Sequence, residues 1–190
     1  MNKIFLYVPN IVGYVRLLLL LASTQYEGYN FVALFIISAT LDFVDGYTAR
    51  LFDQATLFGS CFDMMIDRLS TVVIMYRIIA AEPKYTVILT QLFMIDFISH
   101  FLHFNVSLIT KKHHKDMTSR LLRFYYNKSV LFAICSLEQI CFCLLYLDVY
   151  YKKGFRIELL FVYMLKSIFH VAQLREALIT FAEFEERKVE

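Results

Sequence analysis

The sequence predicts an all-α integral membrane protein, a six-transmembrane-helix bundle with a polar cavity facing the cytosol. Three observations predict it. Apolar residues make up 59% of the 190 positions and charged residues only 19%, against about 45–50% and about 25% in ordinary soluble domains. Gly (5) and Pro (2) are scarce, so long helices are rarely interrupted. Six apolar stretches approach or exceed the roughly 20 residues of a spanning helix; they cover 4–23, 30–51, 57–81, 84–109, 129–150 and 155–182. The whole chain, 1–190, is expected to form a single membrane domain, with no repeat, linker or low-complexity tract.

Each element follows in order. In the first stretch Pro9, Asn10 and Arg16 interrupt the apolar run, and no small-x-small cleavage site follows; it reads as a span rather than a signal peptide. The second ends at Arg50, the polar turn 52–56 follows, and the third starts at Leu57. Glu82 and Pro83 divide the third from the fourth. A longer loop, 110–128, carries KKHHKDMTSR with the pair His113 and His114, and 151–154 divides the last two spans. Six spans place both termini on one side. The loops of that side carry Lys3, Arg50, Lys111, Lys112, Lys115, Arg120, Arg123, Lys128, Arg187 and Lys188, against Lys84, Lys152, Lys153 and Arg156 opposite. The bias puts the termini, the 52–56 turn and the 110–128 loop in the cytosol. Within that loop the KKHHK run (111–115) reads as a solvated segment attracted to anionic membrane lipid. A net charge of +2 gives no reason to expect nucleic acid as a partner. Cys61, Cys135, Cys141 and Cys143 all lie in apolar stretches and read as small buried hydrophobes.

The second and third spans nevertheless contain Asp42, Asp45, Asp63 and Asp67, with Arg50 and Arg68. An ionised Asp at mid-membrane costs about 2.5–3.5 kcal/mol, so four cost on the order of 10 kcal/mol unless something compensates them. Two arginines cannot neutralise four carboxylates. Asp42 and Asp45 are i, i+3 and Asp63 and Asp67 are i, i+4, so each pair shares a helix face. Asp45 and Asp63 lie equally far from the middle of the 52–56 turn, roughly 13 Å along their helices. The four acids are therefore expected to converge in one cavity. An all-oxygen, multi-carboxylate set suits hard divalent cations such as Mg²⁺ or Mn²⁺. Gly46, Ala49 and Gly59 on the same helices leave room for a ligand near the backbone, and the Arg50 fork suits a phosphate oxygen.

From 42 to 67 the chain reads D-x-x-D-G-x-x-A-R-x8-G-x-x-x-D-x-x-x-D, with all eight fixed positions present. This resembles the signature of the CDP-alcohol phosphotransferases. Further segments, FLYVPNIVGYVR (5–16), FGSCFDMMIDRLST (58–71), DFISHFLH (96–103), SRLLRFYY (119–126) and the pattern of Leu165, Lys166, Gln173 and Leu174, are similar to the inositol-using branch of that family in eukaryotes. Glu138-Gln139 stands where those relatives carry Asn-Glu, which moves the acid about 100° around its helix.

The resemblance implies an enzyme that lets a hydroxyl displace CMP from CDP-diacylglycerol, here with myo-inositol as acceptor. Two divalent ions, Mg²⁺ or Mn²⁺, would be held by Asp42, Asp45 and Asp63, with Asp67 as general base and a further metal contact. Gly46, Ala49, Arg50 and Gly59 would line the CDP-lipid pocket, with Asn10 and Arg16 as further contacts to the pyrophosphate. Asp96, His100, Arg120 and Lys128 are the candidates for the acceptor. His100 and His103 read equally well as helix-packing imidazoles, and Lys166 and His170 as interhelical hydrogen-bonding groups. Homodimerisation and an endoplasmic reticulum address also follow from the resemblance. Other acceptors (glycerol 3-phosphate, serine, choline or ethanolamine) share the chemistry. A divalent-cation transporter would also bury acids in a membrane, but with interrupted helices in two repeated halves.

Overall fold

The computed structural model describes residues 3–110, 119–153 and 157–189. The basic residues Lys111, Lys112 and Lys115, and the pair His113 and His114, lie outside the described residues. Among the described residues, seven α-helices follow in chain order: α1 (Val8–Ser23), α2 (Gly28–Leu51), α3 (Leu57–Ala81), α4 (Thr86–Thr110), α5 (Arg120–Tyr125), α6 (Lys128–Tyr150) and α7 (Phe161–Val189). Short 3₁₀ turns at Lys3–Leu6, Pro83–Tyr85 and Ile157–Leu160 precede α1, α4 and α7. No strand occurs among the described residues.

Among the described residues, three helical segments, Gly28–Leu51, Pro83–Thr110 and Lys128–Tyr150, are long and apolar enough to cross a bilayer. The apolar α1 has 16 residues, about 24 Å, short of the roughly 30 Å hydrocarbon core. α3 is long enough, but it carries Asp63, Asp67, Arg68 and Arg77. Many large apolar side chains point outward, among them Leu18, Leu21, Ile37, Tyr76, Val87, Phe101, Ile140 and Ile168. Such a surface suits contact with lipid and would be an aggregation hazard in water.

The chain forms two compact units, Met1–Pro83 with Tyr146–Phe155, and Lys84–Leu145 with Arg156–Glu190. In the first, α1 packs along α2 and against α3. The buried stripe of α1 is Pro9, Asn10, Gly13, Arg16, Leu20 and Ser23, a helical repeat that is polar where it meets the acids. Gly13 lets the helices approach closely: a Cβ there would lie 3.0 Å from the Phe62 ring of α3 and would have to push it aside. The Ser38 hydroxyl of α2 donates to the Arg16 carbonyl at 2.9 Å, joining the two helices. Thr56 caps α3 by accepting from the Gly59 amide at 3.0 Å. The Val8 amide donates to Gln54 Oε1 at 2.9 Å, which ties the 52–56 turn to the start of α1. α2 opens on Gly28 at φ +55, where a Cβ would stand 2.6 Å from the Tyr151 hydroxyl.

In the second unit α4 and α5 pack on α7. Leu89, Leu92, Leu122, Tyr125, Phe142, Leu145 and Tyr163 are buried there, and Tyr125 stacks on Phe169 with ring centroids 4.6 Å apart. The same interior holds a polar layer of Asp96, Ser99, Glu138, Lys166, Ser167 and His170.

Most helix limits lie within two residues of the ends of the expected stretches. The predicted 57–81 span coincides with α3, and 30–51 differs from α2 by two residues at its start. The last helix begins later than residue 155 and runs beyond 182. Its charged final turns are good helix formers even though they are too polar for a span. The 110–128 loop contains one short helix, α5, in its described part.

Candidate active site

The four acids do meet, and they meet around a fifth residue. Arg16, from α1, sends Nη1 to Asp45 Oδ2 and Asp63 Oδ1, both at 2.6 Å. Its Nη2 reaches Asp42 Oδ1 and Asp67 Oδ1, both at 2.8 Å. Each terminal nitrogen thus bridges one carboxylate from α2 and one from α3. The Arg16 side chain is 2% exposed, while the side chains of Asp42, Asp63 and Asp67 are 35%, 45% and 40% exposed. The acids are therefore reachable from one side while the arginine is sealed behind them. These charge-assisted contacts are what makes one guanidinium tolerable inside α1 and four carboxylates tolerable on α2 and α3. Asp45 and Asp63, placed at equal depth by helix arithmetic, share a single nitrogen, so they do lie at one level.

Four carboxylates and one guanidinium leave three formal negative charges in the cluster. Asp42, Asp63 and Asp67 each offer an oxygen, all within 4.8 Å of one another. An all-oxygen donor set of that charge and spacing fits hard divalent cations, and a guanidinium nested among the same oxygens shows that the space receives a cation.

Beside the cluster lies a cavity of about 260 Å³, lined by residues of α1, α2, α3 and the 52–56 turn, all in the first unit. Its walls include Asn10, Gly46, Ala49, Arg50 and Gly59, together with Asp45 and Asp63. Of the residues expected to line a CDP-lipid pocket, only Arg16 does not reach this wall. Asn10 is fixed by donating from Nδ2 to the Ile4 carbonyl at 2.6 Å. Its Oδ1 would be 3.0 Å from a Cβ at Gly59, so the absence of a side chain at 59 lets α1 and α3 close. At Gly46 a Cβ would meet only the Arg50 guanidinium, at 3.6 and 3.7 Å.

The acceptor candidates all fall in the second unit. Asp96 is 1% exposed, and the described groups around it include three side chains. His100 Nδ1 lies 2.9 Å from Asp96 Oδ1, His170 Nε2 lies 3.4 Å from the same oxygen, and the Tyr163 hydroxyl lies 3.5 Å from Asp96 Oδ2. His100 Nδ1 also lies 2.9 Å from the Asp96 carbonyl, which directs that nitrogen inward. Arg120 and Lys128 begin α5 and α6 and are exposed. Lys166 and His170, which read from sequence as one pair of polar groups, have separate partners: Lys166 forms a buried ion pair with Glu138 of α6, and His170 joins Asp96. Glu138, the acid displaced by one position, is thereby committed to a lysine.

Spacing along the chain sets the acids beside Arg50 and Arg68 and gives no pairing with Arg16. A signal for that pairing is nevertheless present: a lone arginine in the middle of the first apolar run is itself a costly charge that requires an anionic partner.

These features define a class. A profile of the CDP-alcohol phosphatidyltransferases matches residues 5–166, and the chain belongs to that family. Among its relatives, the CDP-diacylglycerol–inositol 3-phosphatidyltransferase of Candida albicans is 33% identical, with 97% of this chain and 85% of that protein covered. The enzyme of that name from Schizosaccharomyces pombe is 35% identical over 76% of this chain and 65% of its own length, and the one from Homo sapiens is 32% identical over 77% and 72%. No solved structure matches the chain at a significant level.

Proposed function

We infer that this protein transfers the phosphatidyl group of CDP-diacylglycerol to myo-inositol, releasing CMP. The observation that carries the reading is the convergence of Asp42, Asp45, Asp63 and Asp67 on one point beside a cavity walled by the small and basic residues of the same signature. Support for inositol comes from the relatives bearing that acceptor in their names.

In this reading Asp42, Asp45 and Asp63 hold divalent ions, Mg²⁺ or Mn²⁺, with Asp67 as a further contact. The chemistry such ions would supply there is positive charge against the phosphate oxygens of an in-line displacement. The chain's own residues do the rest. Gly46, Ala49 and Gly59 let the nucleotide approach the backbone, while Arg50, Asn10 and Arg16 orient the diphosphate. The inositol hydroxyl oxygen forms a bond to the phosphorus that carries diacylglycerol. The bond from that phosphorus to the CMP oxygen breaks, and Asp67 takes the hydroxyl proton as the new bond forms. Acyl chains stay in lipid, so the cavity needs room only for the head group.

The acceptor is held by Asp96, His100, Arg120 and Lys128. The enclosure of Asp96 supports a division of labour in which Asp96 orients His100 and leaves its Nε2 to face the polyol. Six spans, with the termini and the site in the cytosol, agree with the Lys/Arg bias. A homodimer of the endoplasmic reticulum membrane agrees with the family resemblance.

The test is direct. Purified protein with CDP-diacylglycerol, Mn²⁺ or Mg²⁺ and a panel of labelled alcohols releases CMP with myo-inositol. Release with glycerol 3-phosphate and none with inositol overturns the acceptor and keeps the chemistry. Alanine at Asp96, Arg120 or Lys128 raises the KM for inositol in the same assay, and an unchanged value removes that residue from the acceptor site. Gly46→Ala is expected to hold or raise thermal stability, since its methyl meets only ordinary contacts and alanine is the better helix former inside α2. It raises the KM for CDP-diacylglycerol about tenfold, the equivalent of ~1.4 kcal/mol of lost binding, because the methyl projects into the cavity.

A further inference from the structure

Two kinds of cation compete for the oxygens of the acid cluster. The Asp42, Asp63 and Asp67 atoms close enough to share a metal ion are on the carboxylates that Arg16 holds at 2.6–2.8 Å. Mg²⁺ takes oxygen ligands at about 2.0–2.1 Å in near-octahedral geometry, and a guanidinium in the middle of those ligands occupies its space and repels its charge. The Arg16 contacts are also incomplete. Nε is buried and has no hydrogen-bond partner among the described residues, so the fork is held by its two outer nitrogens only. A guanidinium in a permanent structural niche would be expected to satisfy all its donors.

We propose that Arg16 is the placeholder cation of the metal site: it gathers the four carboxylates in the metal-free protein and gives them up as divalent ions enter. The proposal rests on the metal-binding reading above and adds an order of events to it. Without a cation, four like charges on the facing ends of α2 and α3 push the helices apart. The bridging pattern answers that repulsion, because each Nη joins α2 to α3. When two divalent ions supply four positive charges, the arginine is no longer needed there. It stands on the same face of α1 as Asn10 and Gly13, both of which line the cavity. The released fork, Nε included, then has the diphosphate of the substrate as its natural partner. Metal loading thus precedes and creates one of the substrate contacts. Arg16 is a positioning residue before it is a binding one.

The experiment uses the full chain in detergent, as wild type, Arg16→Gln and Arg16→Lys. Two readouts independent of activity are taken: the thermal midpoint in EDTA and in saturating Mn²⁺, and the Mn²⁺ dissociation constant from the electron paramagnetic resonance of the free ion. Arg16→Gln is expected to melt below wild type in EDTA, to lose that deficit in saturating Mn²⁺, and to bind Mn²⁺ about tenfold more tightly, a typical size for two coupled sites. Arg16→Lys, a compact charge that cannot bridge both pairs, falls between the two on both measures. Recovery of Arg16→Gln only when Mn²⁺ is present throughout purification is the same result in extreme form. If Arg16→Gln cannot be recovered at all, Arg16→Lys decides by the same two measures. A stability deficit equal with and without Mn²⁺, or Mn²⁺ binding unchanged or weakened, overturns the placeholder and makes Arg16 a fixed part of the fold. Absence of Mn²⁺ binding in wild type and variants alike overturns the metal reading itself, and with it the placeholder.

Discussion

Asp67→Asn is expected to lower turnover by about two to four orders of magnitude, the usual worth of a positioned general base, while Mn²⁺ and CDP-lipid binding change by only a few fold. Asparagine keeps the shape of the side chain and still accepts a hydrogen bond from Arg16 Nη2, which Asp67 receives at 2.8 Å. What it removes is the site for the proton of the attacking hydroxyl. Asp67 is not among the residues that wall the cavity, whereas Asp45 and Asp63 are, so the substitution leaves that wall intact. Single-turnover CMP release, read beside Mn²⁺ binding, checks the outcome. Near-normal turnover removes Asp67 from the role of base. Loss of Mn²⁺ affinity in step with turnover makes it a metal ligand instead.

Asp63→Ala is the substitution with the broadest expected loss. Asp63 alone belongs both to the trio of oxygens spaced for a shared ion and to the wall of the cavity. Its removal deletes a donor from a hard-cation site, whose affinity depends on the number and charge of its ligands, and CMP release should fall to background at every Mn²⁺ concentration. The metal-free protein should not suffer. Losing Asp63 costs one contact with Arg16 at 2.6 Å but also removes one of four mutually repelling carboxylates, each of which disfavours the charge of the others. The thermal midpoint in EDTA is therefore expected to equal or exceed that of wild type while activity vanishes. A variant that is inactive because it melts early would show that Asp63 serves the fold rather than the reaction.

These two acids and Arg16 differ in how far each is legible from the amino-acid order. The spacing Asp42–Asp45 and Asp63–Asp67 fixes faces on helices of known rise, and the short turn between α2 and α3 fixes their relative depth. Those quantities are local, so the convergence is readable from the sequence alone. The pairing of Asp96 with His100 is likewise an i, i+4 relation within α4. Arg16 is different. It lies 29 residues from Asp45 and 51 from Asp67, and only the docking of α1 against two other helices brings it to them. The partners of Glu138 and His170 are of the same kind, since each lies on another helix.

By itself, then, the sequence determined that the chain is helical and apolar, where most of its helices run, that four carboxylates share one level, and which family pattern they form. Only the tertiary structure decided which positive charge answers them, which wall the small residues build, and that Asp96 is enclosed rather than open. The physical reason is one of range. Helical periodicity and hydropathy act along a few turns of one chain segment, whereas charge compensation in a dry interior is settled by whichever helix packs alongside.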